Sequence, residues 1–129
     1  MEPGVWDAKD ILEILDLHTR FRYGYPVKAK EMIDTFDCLK DFLGDDTADR
    51  VYSDGQPSLV DATKKLGINH EPSAPGVSHT NAIIENSIGD DLRGLRTLLV
   101  QAGFPLCLWP YAVRCYSTLE NCRLSLIHI

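Results

Sequence analysis

A long amphipathic segment constrains the fold more than any other feature of this sequence. It runs from Asn81 to Ala102 and ends at Gly103, shortly before Pro105. Apolar side chains recur in it every three or four residues, at Ile84, Ile88, Leu92, Leu95 and Leu99. This spacing places them on one stripe of an α-helix, and a glycine followed by a proline is typical of a helix end. We therefore predict one long helix that buries a single stripe.

The segments before this helix alternate between strand and helix patterns. Residues 11–17 form an apolar run rich in β-forming residues, and residues 20–26 alternate basic or small residues with aromatic ones. These patterns predict two strands joined as a hairpin. Apolar positions spaced by three or four from residue 28 to residue 42 predict an amphipathic helix that ends near Gly44.

The middle of the chain repeats this alternation. Residues 50–53 predict a short strand that ends at Asp54, and residues 57–66 predict a helix that begins at a proline. Residues 67–70 predict a brief strand or turn, and the proline-rich stretch 71–78 predicts a loop. The resulting order of strands and helices indicates a mixed α/β fold, although several folds share it.

The last part of the chain predicts one more helix, from about residue 107 to residue 119. It is apolar, and its larger side chains are expected to pack in the core: Trp109, Tyr111, Val113 and Tyr116. The tail, residues 123–129, has alternating apolar residues that predict a sticky strand or a disordered end.

Composition narrows the class of protein. With 129 residues, 44% hydrophobic and 25% charged, the chain suits one small globular domain. A net charge of −6 argues against binding nucleic acid by bulk electrostatics, so that any contact with DNA must be local. No apolar run is long enough to span a membrane, and the first residues lack the layout of a secretion signal. We expect a soluble intracellular protein.

The cysteines and histidines show no metal-binding spacing. The four cysteines include no C-x-x-C pair, and with the four histidines they form no zinc pattern. We expect buried, reduced thiols at Cys38, Cys107, Cys115 and Cys122.

Three motifs occur in a specific order: Val51-Tyr52-Ser53-Asp54-Gly55, then residues 66–73 (LGINHEPS), then residues 79–85 (HTNAIIE). Together they resemble the catalytic core of copia-type retrotransposon integrases. Residues 16–30 and 98–112 are also similar to segments of that family, so that the resemblance covers roughly residues 11–122. Several motifs in the correct order are more specific than any one of them.

The resemblance implies an RNase H-like mixed sheet flanked by helices, with metal-dependent polynucleotidyl transfer to DNA. In such chemistry divalent ions activate the attacking oxygen and stabilise the leaving oxygen, and carboxylates hold them. Asp54 and Glu85 match the family's ligands for Mg²⁺ or Mn²⁺. The resemblance also implies nuclear localisation, a homodimer, and contact with DNA near the start of the long helix, at His79 and Thr80. Asn81, a short amide at a helix N-terminus, could cap the helix and also face a phosphate. Lys64 and Lys65 could meet phosphates, although solvated helix faces commonly carry such pairs.

The departures from the family pattern matter equally. The family's first catalytic Asp should lie about fourteen residues before Asp16, in a strand that residues 1–10 do not provide. Whether Asp7 or Asp10 replaces it stays open. The arginine after the helix glutamate is Asn86 here, and Gly89 and Gly94 weaken the long helix, which suggests relaxed selection or a divergent copy. We therefore expect an incomplete, inactive core preceded by a divergent start and followed by a tail outside the pattern.

Other interpretations remain open at this stage. The chain could be a non-catalytic module that associates through the apolar last helix around Trp109, Tyr111 and Tyr116. A missing first strand could instead leave an exposed edge along residues 11–17 and cause misfolding. His70 and His79 could each act as a general base. A position in a loop explains His70 better, and a position near DNA explains His79 better.

Overall fold

The computed structural model describes residues 3–29, 31–53, 57–72 and 78–128, with backbone alone at residues 6, 72, 78–81 and 124–128. It divides into two compact units, the first made of residues 1–28 and 86–129 and the second of residues 29–85. The elements in chain order are β1 (Asp10–Leu15), β2 (Arg22–Val27), α1 (Met32–Leu43), β3 (Arg50–Ser53), α2 (Pro57–Leu66), β4 (Asn69–Pro72), α3 (Ser78–Ala102) and α4 (Trp109–His128).

A β-hairpin begins the first unit. Strands β1 and β2 pair antiparallel, with Glu13 directly opposite Gly24. Asp16 closes the turn, because its Oδ1 accepts hydrogen bonds from the backbone N–H groups of His18 and Thr19. In the described part of the chain β1 has β2 as its one strand partner, and a 3₁₀ turn at Val5–Asp7 precedes it.

Helix α4 packs against β2, and polar side chains fix the contact. The Ser117 hydroxyl accepts a hydrogen bond from the backbone N–H of Gly24. The Asn121 amide accepts one from the N–H of Arg22 and donates one to its carbonyl at 2.7 Å. Apolar side chains from the start of the chain, α3 and α4 form the core: Ala8, Leu95, Leu99, Trp109, Ala112 and Val113.

The second unit holds a parallel strand pair beside two packed helices. Strands β3 and β4 align so that Ser53 lies opposite Pro72. Helices α1 and α2 contact each other extensively, and the Lys65 ammonium lies 4.8 Å from the centre of the Phe36 ring. Leu39 of α1 and both Ala62 and Thr63 of α2 are buried.

The mixed α/β class predicted from the sequence is confirmed, and so are the types of its strands and helices up to α3. Of the predicted loop at residues 71–78, residues 71–72 belong to β4, residue 78 belongs to α3, and residues 73–77 lie outside the described residues. The last helix continues much further than predicted. Residues 106–108 form a 3₁₀ turn and α4 runs on to His128, so that the predicted sticky strand at residues 123–129 is wrong. Ion pairing on the helix surface favours this continuation, because Arg123 bonds Glu120 three residues earlier.

The stripe of the long helix differs from the prediction in its first half. Ile88 is 38% exposed, whereas Ser87 and Asp91 are 5% and 1% exposed. From Leu92 onward the apolar residues of the predicted stripe pack in or against the core. Polar partners on β1 and β2 explain this shift, because they give Ser87 and Asp91 a buried polar environment.

One further expectation fails. Cys107, Cys115 and Cys122 are exposed and Cys38 is half-buried, so the predicted burial of the thiols is wrong, although none of the four forms a disulfide. Gly94 has a packing reason, because a Cβ there would lie 2.3 Å from the Tyr116 ring, and the expectation of relaxed selection stays a prediction. No described helix is long and apolar enough to cross a membrane.

Candidate metal centre and a buried polar network

The carboxyl ends of β3 and β4 lie side by side in the second unit. The two strands are parallel with Ser53 opposite Pro72, so that both strands end at the same edge. Asp54 is the next residue after β3 but lies outside the described residues. Strand-end positions of this kind are a common origin of binding residues in α/β folds.

A hydrogen bond between Ser53 Oγ and His70 Nε2 connects the two strands close to this edge. His70 belongs to β4 and is therefore a strand residue, not the loop histidine that the sequence predicted. On the outer side of the same pair, Arg50 and Glu71 form an exposed ion pair at 3.2 Å. Side chains thus reinforce the backbone ladder at both ends of this short strand pair.

The first turns of α3 hold most of the other predicted site residues. Helix α3 begins at Ser78, three residues earlier than predicted, so Asn81 lies inside the first turn and is not the capping residue. His79 and Thr80 also belong to this turn, and the side chains of all three lie outside the described residues. Glu85 follows about one turn later with an exposed side chain.

Glu85 and the position after β3 belong to the same compact unit, but the convergence of Asp54 and Glu85 stays a prediction. Within the described ranges no three His, Cys, Asp or Glu side chains converge as a metal site. The donor set nevertheless suits a hard divalent cation, because carboxylate oxygens are the ligands that Mg²⁺ prefers.

The two predicted DNA-contacting lysines of α2 differ in their surroundings. Both are exposed in the last turn of the helix. Lys65 lies over the Phe36 ring of α1, so that its charge already contributes to packing between α1 and α2. Lys64 makes the better candidate for contact with a phosphate, although contact with DNA by either residue stays a prediction.

A polar network in the first unit was not predicted from the sequence. Arg22 of β2 is its centre, and its guanidinium faces three carboxylates: Asp90, Asp91 and Glu120. Its Nη1 donates to the Ser87 hydroxyl at 3.0 Å, and Ser87 in turn donates to Glu13 Oε1 at 2.9 Å. The network therefore connects both strands of the hairpin to α3 and α4.

Asp90 and Tyr116 extend the network towards the surface. The Tyr116 hydroxyl donates to Asp90 Oδ2 at 2.9 Å. Although desolvation opposes ionisation of Asp90, hydrogen bonds from Arg22 and Tyr116 lower its pKa below the usual value. Desolvation and the bond to Asp90 raise the pKa of Tyr116 to about 12. At neutral pH this outer part of the network is a charged carboxylate held by an arginine and a phenol.

The inner part of the network places two carboxyls against each other. Burial raises the pKa of Glu13 to about 9, and the hydrogen bond and negative charge of Asp91 contribute to the rise. Asp91 is almost fully buried. Among the described residues, Glu13 Oε2 and both carboxylate oxygens of Asp91 have no hydrogen-bond donor.

The sequence contained weak signals for this network. Glu13 interrupts an otherwise apolar strand run, and Asp90-Asp91 lies in the middle of an amphipathic helix. A charged residue inside a buried strand usually has a partner of opposite charge elsewhere in the fold. Arg22 was the available partner, but no spacing in the sequence connects positions 13, 22 and 91.

The comparisons with known proteins support a transposon origin. The chain is 31% identical over 105 residues to a retrovirus-related Pol polyprotein from transposon RE2 of Arabidopsis thaliana. This similarity supports an origin of the chain in a retrotransposon polyprotein. The aligned region covers 76% of this chain and 7% of that polyprotein, so the chain spans a small part of the curated relative it matches. No protein-family model matches the chain.

Proposed function

We propose that the chain is a segment of a retrotransposon integrase catalytic core with an RNase H-like fold. Its similarity to a Pol polyprotein over 105 residues carries this proposal. The motif order supports the integrase part, because the Asp, His and Glu motifs fall on the end of β3, on β4 and on the start of α3. The substrate class is DNA, namely element ends and target DNA, and the site of action is the nucleus.

In this proposal Asp54 and Glu85 hold Mg²⁺ or Mn²⁺. Such an ion activates an attacking oxygen and neutralises charge on the transferred phosphate. The bond between Ser53 and His70 supports the end of β3, from which Asp54 follows. His79, Thr80 and Asn81 in the first turn of α3 belong to a helix end that favours phosphate, because its backbone N–H groups carry partial positive charge.

The same proposal implies weak or absent catalysis by this chain. Neither candidate for a third carboxylate follows a strand end as Asp54 does: Asp7 ends a 3₁₀ turn and Asp10 begins β1 with an exposed side chain. Loss of one stabilising group in a transition state commonly costs a hundredfold or more in rate. Metal binding without strand transfer is therefore the expected behaviour.

Thermal melting with and without millimolar Mg²⁺ or Mn²⁺ tests this function. Binding to the folded state must raise the melting temperature by mass action. We expect a rise that Asp54→Asn and Glu85→Gln each abolish. Asp61→Asn is the matched control, because Asp61 is an exposed acid on α2 of the same unit. No rise, or a rise that survives both substitutions, would overturn the proposed metal site.

A second candidate function is protein association through the apolar surface of the first unit. The connection between α3 and α4 exposes Phe104 and Leu106, and α4 exposes Tyr111. A cavity of about 330 Å³ lies beside them, lined largely by apolar atoms of Leu98, Leu99, Ala102, Phe104, Leu108, Tyr111, Ala112 and Cys115. An exposed apolar patch of this kind commonly marks an interaction site.

The residues of the proposed association surface differ from those predicted from the sequence. Trp109 is 2% exposed and packs in the core, and the Tyr116 hydroxyl bonds Asp90, so neither offers a free apolar face. Tyr111 and Phe104 take their place. Sedimentation over a range of concentrations should show self-association that Tyr111→Ser and Phe104→Ser weaken. Leu17→Ser, at an exposed apolar position in the hairpin turn, should leave it unchanged.

A further inference from the structure

We propose that Glu13 and Asp91 form a buried acid–carboxylate pair that binds one proton and couples the folding of the first unit to pH. The proton resides on Glu13 Oε2 and is donated to a carboxylate oxygen of Asp91. The proposed metal site involves neither of these two residues. The inference therefore stands independently of the proposed function.

The geometry of hydrogen bonding is the first argument. Among the described residues, three buried carboxyl oxygens lack a donor: Oε2 of Glu13 and both oxygens of Asp91. Ionised carboxyls contain acceptors alone, so two ionised carboxyls facing each other cannot satisfy these atoms. One added proton turns Glu13 into a donor, so that Glu13 Oε2 and one carboxylate oxygen of Asp91 each gain a hydrogen-bond partner.

Charge balance is the second argument. The positive side chain that faces the pair is Arg22, which already contacts Asp90, Asp91 and Glu120. Arg93 and Arg123 lie further out and approach Asp90 and Glu120. Ionised Glu13 would add a fourth carboxylate around one guanidinium in a largely buried space, where uncompensated charge is costly. A neutral Glu13 removes that charge.

The groups of β2, α3 and α4 that surround Glu13 are compatible with a neutral carboxyl. On α3, Ser87 donates to Glu13 Oε1 and Asp91 is its acidic neighbour. On β2, Gly24 lies opposite Glu13, and a Cβ there would lie 3.1 Å from Glu13 Oε2, so this glycine leaves room for the carboxyl. On α4, Tyr116 and Glu120 face Arg22 and Asp90 instead of Glu13.

The sign of the pH effect follows from the pKa of Glu13, which rises from 4.5 to about 9 on folding. Below pH 4.5 both the folded and the unfolded chain carry the proton on Glu13, and the stabilisation of the folded state by the protonated pair is fully present. Between pH 4.5 and about 9 the folded state alone holds the proton, so stability falls as pH rises. For one proton, the unfolding constant increases about tenfold per pH unit across this window.

Urea unfolding of the full chain at several pH values between 5 and 9 tests the proposal. Tryptophan fluorescence is the readout, because the first unit contains both tryptophans, including buried Trp109. Glu13→Gln is the decisive variant, because its amide replaces the protonated acid and cannot titrate. In Glu13→Gln we expect the unfolding constant to lose its tenfold change per pH unit. At pH 8 this variant should be more stable than the wild type. Glu120→Gln is the control and should keep the dependence.

Equal pH dependence in the wild type and in Glu13→Gln would overturn the proposal. If Glu13→Gln fails to fold, the carboxyl carbon of Glu13 can be followed by ¹³C NMR in the wild-type chain. A neutral Glu13 should show no titration between pH 4 and 7. A titration midpoint near 4.5 would show that Glu13 is an ordinary ionised carboxylate and would refute the shared proton.

Discussion

Gly94 of α3 lies against the ring of Tyr116 of α4, with no space between them for a side chain. A Cβ at position 94 would come within 2.3 Å of the ring. The close approach lets the Tyr116 hydroxyl reach Asp90 and bond it at 2.9 Å. The glycine therefore positions a polar contact between the two helices of the first unit.

Gly94→Ala should destabilise the chain, although alanine is the better helix former. Steric overlap in a packed interface typically costs about 1–3 kcal/mol, which exceeds the roughly 1 kcal/mol gained in helix propensity. Gly89→Ala is the matched control in the same helix, because its nearest neighbour, Arg93 Nη1, lies 3.6 Å from the added Cβ. Urea unfolding should show a loss of stability for Gly94→Ala and a gain of stability for Gly89→Ala. A gain of stability for both variants would contradict the close packing of Gly94 against Tyr116.

Replacing Arg22 tests the importance of the polar network. Arg22→Met should cost about 3–5 kcal/mol in free energy of unfolding, because it leaves buried Asp91 without its ion-pair partner at 3.4 Å. Arg93→Met provides the comparison, since that side chain is largely exposed and its ion pair with Asp90 is long, so the loss should stay below about 1 kcal/mol. Chemical denaturation at neutral pH measures both. Equal losses would show that Arg22 behaves as a surface charge.

The exposure of the cysteines predicts their reactivity. With a colorimetric disulfide reagent, Cys107, Cys115 and Cys122 should react rapidly in the native chain, and half-buried Cys38 of α1 should react more slowly. Denaturant should bring all four to the same rate. Replacing Cys38 by serine should remove the slow phase alone. Slow reaction of all four thiols in the native chain would instead indicate the buried cysteines that the sequence suggested.

Local patterns in the sequence were sufficient to predict most of the strands and helices. The hairpin, α1, α2 and the strand before Asp54 follow from apolar periodicity and from glycines that end helices, such as Gly44 and Gly67, both at positive φ. The start of α3 and the end of α4 were misplaced, because helix ends depend on caps and ion pairs that periodicity does not contain.

The buried polar network shows where reasoning from sequence failed. Periodicity placed Ile88 in the core because it is apolar, but Ser87 and Asp91 occupy that position. Their burial depends on Glu13 and Arg22, residues more than sixty positions away along the chain. Pairing between polar groups that are distant along the chain produces no periodic pattern in the sequence, so the sequence alone does not predict this network. For the metal site, the resemblance to the copia-type integrase core pointed to Asp54 and Glu85, and their pairing stays a prediction.

The metal site can be tested most directly by paramagnetic NMR. A ¹⁵N-labelled chain titrated with Mn²⁺ should lose the amide signals of residues around 53–55 and 84–86 first, because both carboxylates would hold the ion. Asp54→Asn should remove this selective broadening, whereas Asp61→Asn should retain it. Broadening spread over exposed acids in general, or confined to other residues, would contradict a metal site formed by Asp54 and Glu85.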